Sequence, residues 1–140
     1  MAVLIVLTVV LVSVMGNNVT QLPENTPDGV VQHFLQAVQD GDYPKAYSYM
    51  KVAENAKPVT YEDWLTSVNR PLGVPSVSWR ATLGETKITG DTAMVEVIID
   101  IFQQQGPFQN PIRSQTEYFN LTKTDGTWYI TTRPYIYWLY

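Results

Sequence analysis

Residues 26–50, TPDGVVQHFLQAVQDGDYPKAYSYM, decide the fold. Val30, Val31, Phe34, Leu35 and Val38 recur at three- and four-residue spacing, which gathers them on one face of a helix, while Gln32, His33, Gln36 and Gln39 fall largely elsewhere. Thr26 or Asp28 can cap the free amides at its start, and Pro27 suits a first-turn position whose N–H has no partner anyway. Gly41 stands where a C-cap wants a left-handed residue. Asp42 is a second N-cap candidate, Pro44 sits just inside the next start, and Ala46, Tyr47 and Met50 supply its apolar face. The stretch reads as one amphipathic helix, a tight turn and a second short helix.

Downstream, Thr60 and Asp63 have capping-box-like spacing and open a third helical segment, residues 61–68, with Tyr61, Trp64, Leu65 and Val68 on its apolar face. Pro71, Gly73 and Pro75 end it. The period then changes to two. Val77, Trp79, Ala81 and Leu83 alternate with Ser78, Arg80 and Thr82, which is a half-buried strand. After the Gly90-Asp91 turn, Ala93, Val95, Val97, Ile99 and Ile101 alternate with Met94, Glu96, Ile98, Asp100 and Phe102 in the most apolar strand, expected to be central. A loop over 103–111 leads to a third strand over 112–123, and Asp125-Gly126 turns it into a fourth over 128–132. Helices first and an antiparallel meander after predict an α+β domain over 26–140, with the helices on one face of a curved four-stranded sheet.

Upstream, residues 1–15, MAVLIVLTVVLVSVM, hold no charge and only Thr8 and Ser13 as polar side chains. A cleavable signal peptide, a transmembrane anchor and a buried core helix compete for such a run. The signal peptide lacks its basic n-region, although Val14-Met15-Gly16 would pass as a cleavage site. As a helix the run spans only roughly 21 Å, against the ~20 residues and ~30 Å of a typical crossing. Bilayer thinning or neighbouring helices relieve that shortness, so residues 1–16 are read as a retained single-pass anchor, followed by a polar linker over 17–25, NNVTQLPEN. The domain is then expected outside a bacterial-type membrane, in the periplasm or at the cell surface.

Composition narrows the function classes. Hydrophobic residues are 45%, charged residues 16% and aromatic residues 12%, as in a folded domain. A net charge of −4 argues against nucleic acid, whose phosphates would repel it. The absence of cysteine excludes disulfides, thiolate metal sites and cysteine nucleophiles together. Gly-rich phosphate loops and nucleophile elbows are lacking, and no cofactor or metal is expected. Asn18-Val19-Thr20 and Asn120-Leu121-Thr122 match the glycosylation sequon, a short pattern that arises by chance.

The run from Pro27 through Tyr47, with its helix, the Asp40-Gly41-Asp42-Tyr43 turn and the Ala46-Tyr47 that follows, resembles the opening of nuclear transport factor 2-like domains, the cone-shaped cystatin-like superfamily. The closing Asp125-Gly126-Thr127-Trp128-Tyr129-Ile130 resembles the final strand of small extracytoplasmic bacterial members. The resemblance covers about Pro27 to Arg133 and implies a cone enclosing a pocket, used by ketosteroid isomerases and scytalone dehydratase and left unused by many binding or scaffold members.

An isomerase-like site needs a carboxylate base and a Tyr or protonated acid as oxyanion donor. Asp100, Glu96 and Glu117 are the candidate acids, and Tyr47, Tyr43 and Tyr118 the donors; Tyr47, Ile98, Asp100 and Tyr118 together form the candidate pocket. The competing reading pairs Arg80 with Glu96 or Asp100 as an ordinary cross-strand ion pair. His33, on the polar side of the first helix, reads as a solvated residue.

The C-terminal run Trp128 to Tyr140, WYITTRPYIYWLY, is rich in aromatics and uncharged after Pro134. One strand face can complete the core while the other meets a partner or a membrane interface, where Tyr and Trp combine an apolar ring with a polar tip. Phe108, Tyr135, Tyr137, Trp138 and Tyr140 are the candidate partner interface. The leading expectation is a non-catalytic, membrane-anchored accessory or scaffold subunit whose partners are the membrane and the other subunits of a larger complex, of which photosynthetic and respiratory assemblies are examples. The alternative is a tethered domain for a small apolar ligand, with an isomerase or dehydratase as its catalytic form.

Overall fold

The computed structural model describes residues 6–9, 13–14, 20–54, 56–68, 78–102, 107–108 and 112–132. Helix α1 spans Pro27–Gln39, α2 Tyr43–Ser48 and α3 Tyr61–Val68. Thr26 caps α1, its hydroxyl accepting from the Gly29 amide at 3.2 Å. Gly41 takes φ +74° at the turn, a conformation that a side chain would oppose, and Asp42 caps α2 through the Lys45 amide. The Asp63 amide donates to the Thr60 hydroxyl at the start of α3.

Among the described residues the strands are, in chain order, β1 (Val6–Val9), β2 (Ser13–Val14), β3 (Ala53–Glu54), β4 (Lys57–Pro58), β5 (Ser78–Thr89), β6 (Thr92–Phe102), β7 (Ile112–Thr124) and β8 (Thr127–Ile130). The main sheet runs β1-β5-β6-β7-β8, all antiparallel, with β2 also on β5; β3 and β4 make a separate hairpin. The β7–β8 turn places both Asp125 (φ 51°) and Gly126 (φ 79°) in the left-handed region, as a two-residue hairpin of this twist requires. The register of β5 against β6 shifts between Leu83 and Thr86, a bulge that holds Gly84 and Glu85.

The N-terminal transmembrane helix expected over 1–16 is corrected here. Val6–Val9 and Ser13–Val14 are strands, with Val6 opposite Ile88, Val9 opposite Glu85 and Val14 opposite Ala81. Among the described residues no helix is long and apolar enough to cross a membrane. The physical reason lies in the residue types: eight of the first fifteen are Val, Ile or Thr, whose branched Cβ favours the pleated backbone over the helix. The edge of β5 supplies the hydrogen-bond partners for that backbone.

All three helices contribute to a core against one face of the sheet. Val30, Val31, Phe34, Leu35 and Val38 of α1 are buried, as are Ala46 of α2 and Trp64 and Val68 of α3. From the sheet, Trp79, Ala81, Leu83, Ala93, Val95, Val97, Ile99, Ile101, Phe119, Leu121, Trp128 and Ile130 meet them. Strand alternation then puts Arg80, Thr82, Met94, Glu96, Ile98, Asp100, Phe102, Ser114, Thr116 and Tyr118 on the opposite, outer face.

Residues 20–26 do not run free of the domain. Gln32, wholly buried on α1, accepts from the Leu22 amide at 2.7 Å and donates Nε2–H to the Thr20 carbonyl at 2.8 Å, acting as a strand partner in side-chain form. His33, expected to be solvated, is only 15% exposed and donates Nε2–H to the Leu22 carbonyl at 2.9 Å. Its Nδ1 lies 3.7 Å from Glu24, which also accepts from the Tyr49 hydroxyl at 3.0 Å. Burial and that bond to Glu24 push the Tyr49 phenol up to about 12.

Candidate functional site

The candidate acids and tyrosine donors are split between the two opposite sides of the sheet. On the helix side, Trp64 sits in a box of rings: Phe34 at 6.3 Å, Tyr43 at 6.2 Å, Tyr47 at 5.9 Å and Tyr61 at 6.3 Å between centroids. Helix α2 delivers Tyr43 and Tyr47, and α3 delivers Tyr61 and Trp64, so the box is the seam between two short helices. The Tyr47 hydroxyl donates to the Val59 carbonyl at 2.7 Å and so ties α2 to the segment leading into α3. Among the described residues Trp64 Nε1 is buried without a hydrogen-bond partner, which carries a desolvation cost.

On the outer face, register alone sets Arg80, Asp100 and Ser114 side by side across β5, β6 and β7. Arg80 donates through Nε at 3.2 Å and Nη2 at 2.6 Å to one Asp100 oxygen, and Ser114 donates to the other at 2.6 Å. The Ser114 hydroxyl and then the Arg80 guanidinium hold the Asp100 carboxyl below the usual carboxylate range. A carboxylate so held is a weak base near neutral pH, opposite to what proton abstraction beside a carbonyl asks of it. The cross-strand ion pair read from the sequence is therefore present, with Asp100 as its acid.

Of the four candidate pocket residues, Ile98, Asp100 and Tyr118 share the outer face, whereas Tyr47 packs with the core on the other side. The structure does not bring Tyr47 to the other three. Glu96 stands beside Tyr118 on the outer face, and its carboxylate lies against Gly84, where a side chain would leave it no room. Glu117 is opposite Val97, which places it on the helix side, and it accepts from Gln115 Nε2 at 3.2 Å. A shallow cleft of about 260 Å³ on the outer face is lined by Glu85, Lys87, Met94, Glu96 and Tyr118. Among the described residues no group of three or more His, Cys, Asp or Glu is placed to hold a metal ion.

Phe108 is fully exposed. Tyr135, Tyr137, Trp138 and Tyr140, the rest of the candidate partner interface, lie outside the described residues. Sequence reasoning missed Gln32 and Ser114. Ser114 could have been found by extending the β5–β6 pairing one strand further, because Asp100 then faces it. Gln32 carries no such signal, since its partners are ten and twelve residues away in an aperiodic segment. Comparison with protein families, with curated proteins and with solved structures returned no match to this chain.

Proposed function

We propose that this chain is a non-catalytic accessory domain that docks on a larger membrane-associated complex, on the extracytoplasmic side. The observation that carries the reading is the separation and commitment of the groups an isomerase would need. Asp100 is bound by Arg80 and Ser114 on one face of the sheet, and the Tyr47 hydroxyl is spent on the Val59 carbonyl on the other. Docking in this proposal uses Phe108, whose ring is wholly in solvent, together with the aromatic segment 135–140. A sheet with helices on one face agrees with the cystatin-like resemblance, which stays part of the proposal. The apolar N-terminal stretch contributes here as a strand of the domain and not as a spanning helix.

The test is a set of surface variants, Phe108→Ser alone and Tyr137→Ser with Trp138→Ser, expressed in the native host and followed by native-size separation of a mild-detergent extract. Each variant is expected to keep the wild-type urea midpoint and to leave the high-mass fraction. Retention of folded variants in that fraction overturns the docking surface.

A further inference from the structure

We propose that the cleft beside the β5 bulge binds a small organic amine as its ammonium cation. The bulge sets two residues of β5, Gly84 and Glu85, against one of β6, Glu96. A Cβ at position 84 would run into the end of the Glu96 side chain, so the bare glycine is what leaves that carboxylate its seat. Tyr118, 51% exposed, stands directly across from Glu96 on β7, and Met94 is the next residue along the same face of β6. With Glu85 and Lys87 these side chains line the cleft of about 260 Å³.

Charge selects the occupant. Lys87 lies 3.7 Å from Glu85, and Arg80 is engaged by Asp100. A further cation, Lys51, lies over the Tyr129 ring at 4.0 Å, which the register sets level with Thr92, about 13 Å along β6 from Glu96. Among the described residues Glu96, itself partly buried, has neither a hydrogen bond nor an ion pair of its own. A carboxylate drawn partly out of water without a partner is costly, and a ligand cation relieves that cost through a charge-assisted hydrogen bond. The cleft carries two carboxylates against one ammonium, and the chain's overall −4 draws cations towards it. Two carboxylates fall short of the oxygen cage of a calcium ion, whereas the Tyr118 ring and the Met94 thioether suit the π-contact and the carbon skeleton of an organic cation. The volume lies below the ~300–1,000 Å³ of pockets for drug-sized ligands, so the amine is a small one.

Phenethylamine is the probe, phenethyl alcohol its uncharged counterpart and calcium chloride the inorganic control. Each is titrated into the isotope-labelled, purified full chain while backbone amide resonances are followed. The expected result is saturable shifts centred on Met94, Glu96 and Tyr118 with a dissociation constant of about 1 mM for phenethylamine, at least ~10-fold weaker binding of the alcohol, and no such shifts with calcium. Glu96→Gln, nearly unchanged in volume, weakens phenethylamine binding at least ~10-fold. Gly84→Ala displaces only the far end of a flexible side chain, so the domain stays folded while the seat is lost and binding falls likewise. Tyr118→Leu, at a half-exposed position, weakens it about 3-fold and carries the test if either of the other variants fails to keep the wild-type urea midpoint. Three results overturn the inference: no saturable shift at these amides up to roughly 10 mM phenethylamine, equal binding of the alcohol or of calcium, or folded variants that bind as the wild type does. The cleft is read on the purified chain and does not rest on docking to a larger complex.

Discussion

Replacing Asp100 by Asn removes a charge and almost no volume, and the structure sets the size of the effect. The carboxylate side chain is 12% exposed and the Arg80 side chain 42% exposed, so the ion pair works in a half-wet setting and its Coulomb energy must be discounted. The two Arg80 bonds go to one oxygen and together are worth ~1 kcal/mol at that exposure; the Ser114 bond adds ~1 kcal/mol. Arg80 and Ser114 can both turn to water once the acid is gone, which keeps the loss below the ~3–5 kcal/mol of a stranded buried charge. Asp100→Asn keeps an acceptor for Ser114 and should lose about 1 kcal/mol; Asp100→Ala about 2 kcal/mol. The folded-state carboxyl titrates below its unfolded value, so the wild-type advantage is fully present above the unfolded value near 3.9 and fades as pH falls through the folded one. Urea unfolding of both variants at pH 7 and near pH 2, with Arg80→Met to complete a double-mutant cycle, measures this. An Asp100→Asn penalty under ~0.3 kcal/mol at pH 7, or one undiminished at the acid end, would refute the reasoning.

Three other substitutions probe the helix side of the fold. Gly29→Ala lies in the first turn of α1, where alanine normally gains up to ~1 kcal/mol, but here the new Cβ would overlap the Pro23 carbonyl; a loss of ~2 kcal/mol or more in urea unfolding is expected, and a gain would contradict the close approach of Pro23 to α1. Gln32→Leu removes both side-chain bonds to residues 20–22, so hydrogen exchange at the Leu22 amide should accelerate and stability fall by ~1–3 kcal/mol; unchanged exchange would mean that residues 20–22 are held otherwise. Trp64→Phe discards an unpartnered donor along with some volume and should cost under ~1.5 kcal/mol, whereas Trp64→Ala should cost ~3–5 kcal/mol; equal penalties would show that the indole N–H has a partner after all.

Local signals carried the domain well where they were redundant. At α1 the Thr26 cap, Pro27, a buried stripe and Gly41 all pointed one way, and the change from three- and four-residue spacing to period two before Trp79 marked where helices yield to sheet. The leader had no such redundancy. Its run is apolar on every side, so periodicity could not separate helix from strand, and only the excess of β-branched residues favoured the pairing with β5. Tyr47 and Asp100 were grouped by chemistry although strand alternation already set Asp100 with Glu96 and Ile98, away from the residues that meet the helices. The clasp of Gln32 and His33 on residues 20–24 had no trace in pattern, because it joins side chains to the backbone of a segment without a period.

The most direct test of the docking account is the native size of this chain. Membranes from the source cells are extracted in mild detergent, separated by size and probed for the protein. The account expects it in a high-mass fraction with other subunits, and leaving that fraction when Phe108 and the Tyr137–Trp138 pair are replaced. Recovery of the wild-type chain only as one or two free copies, in every extract, would contradict it.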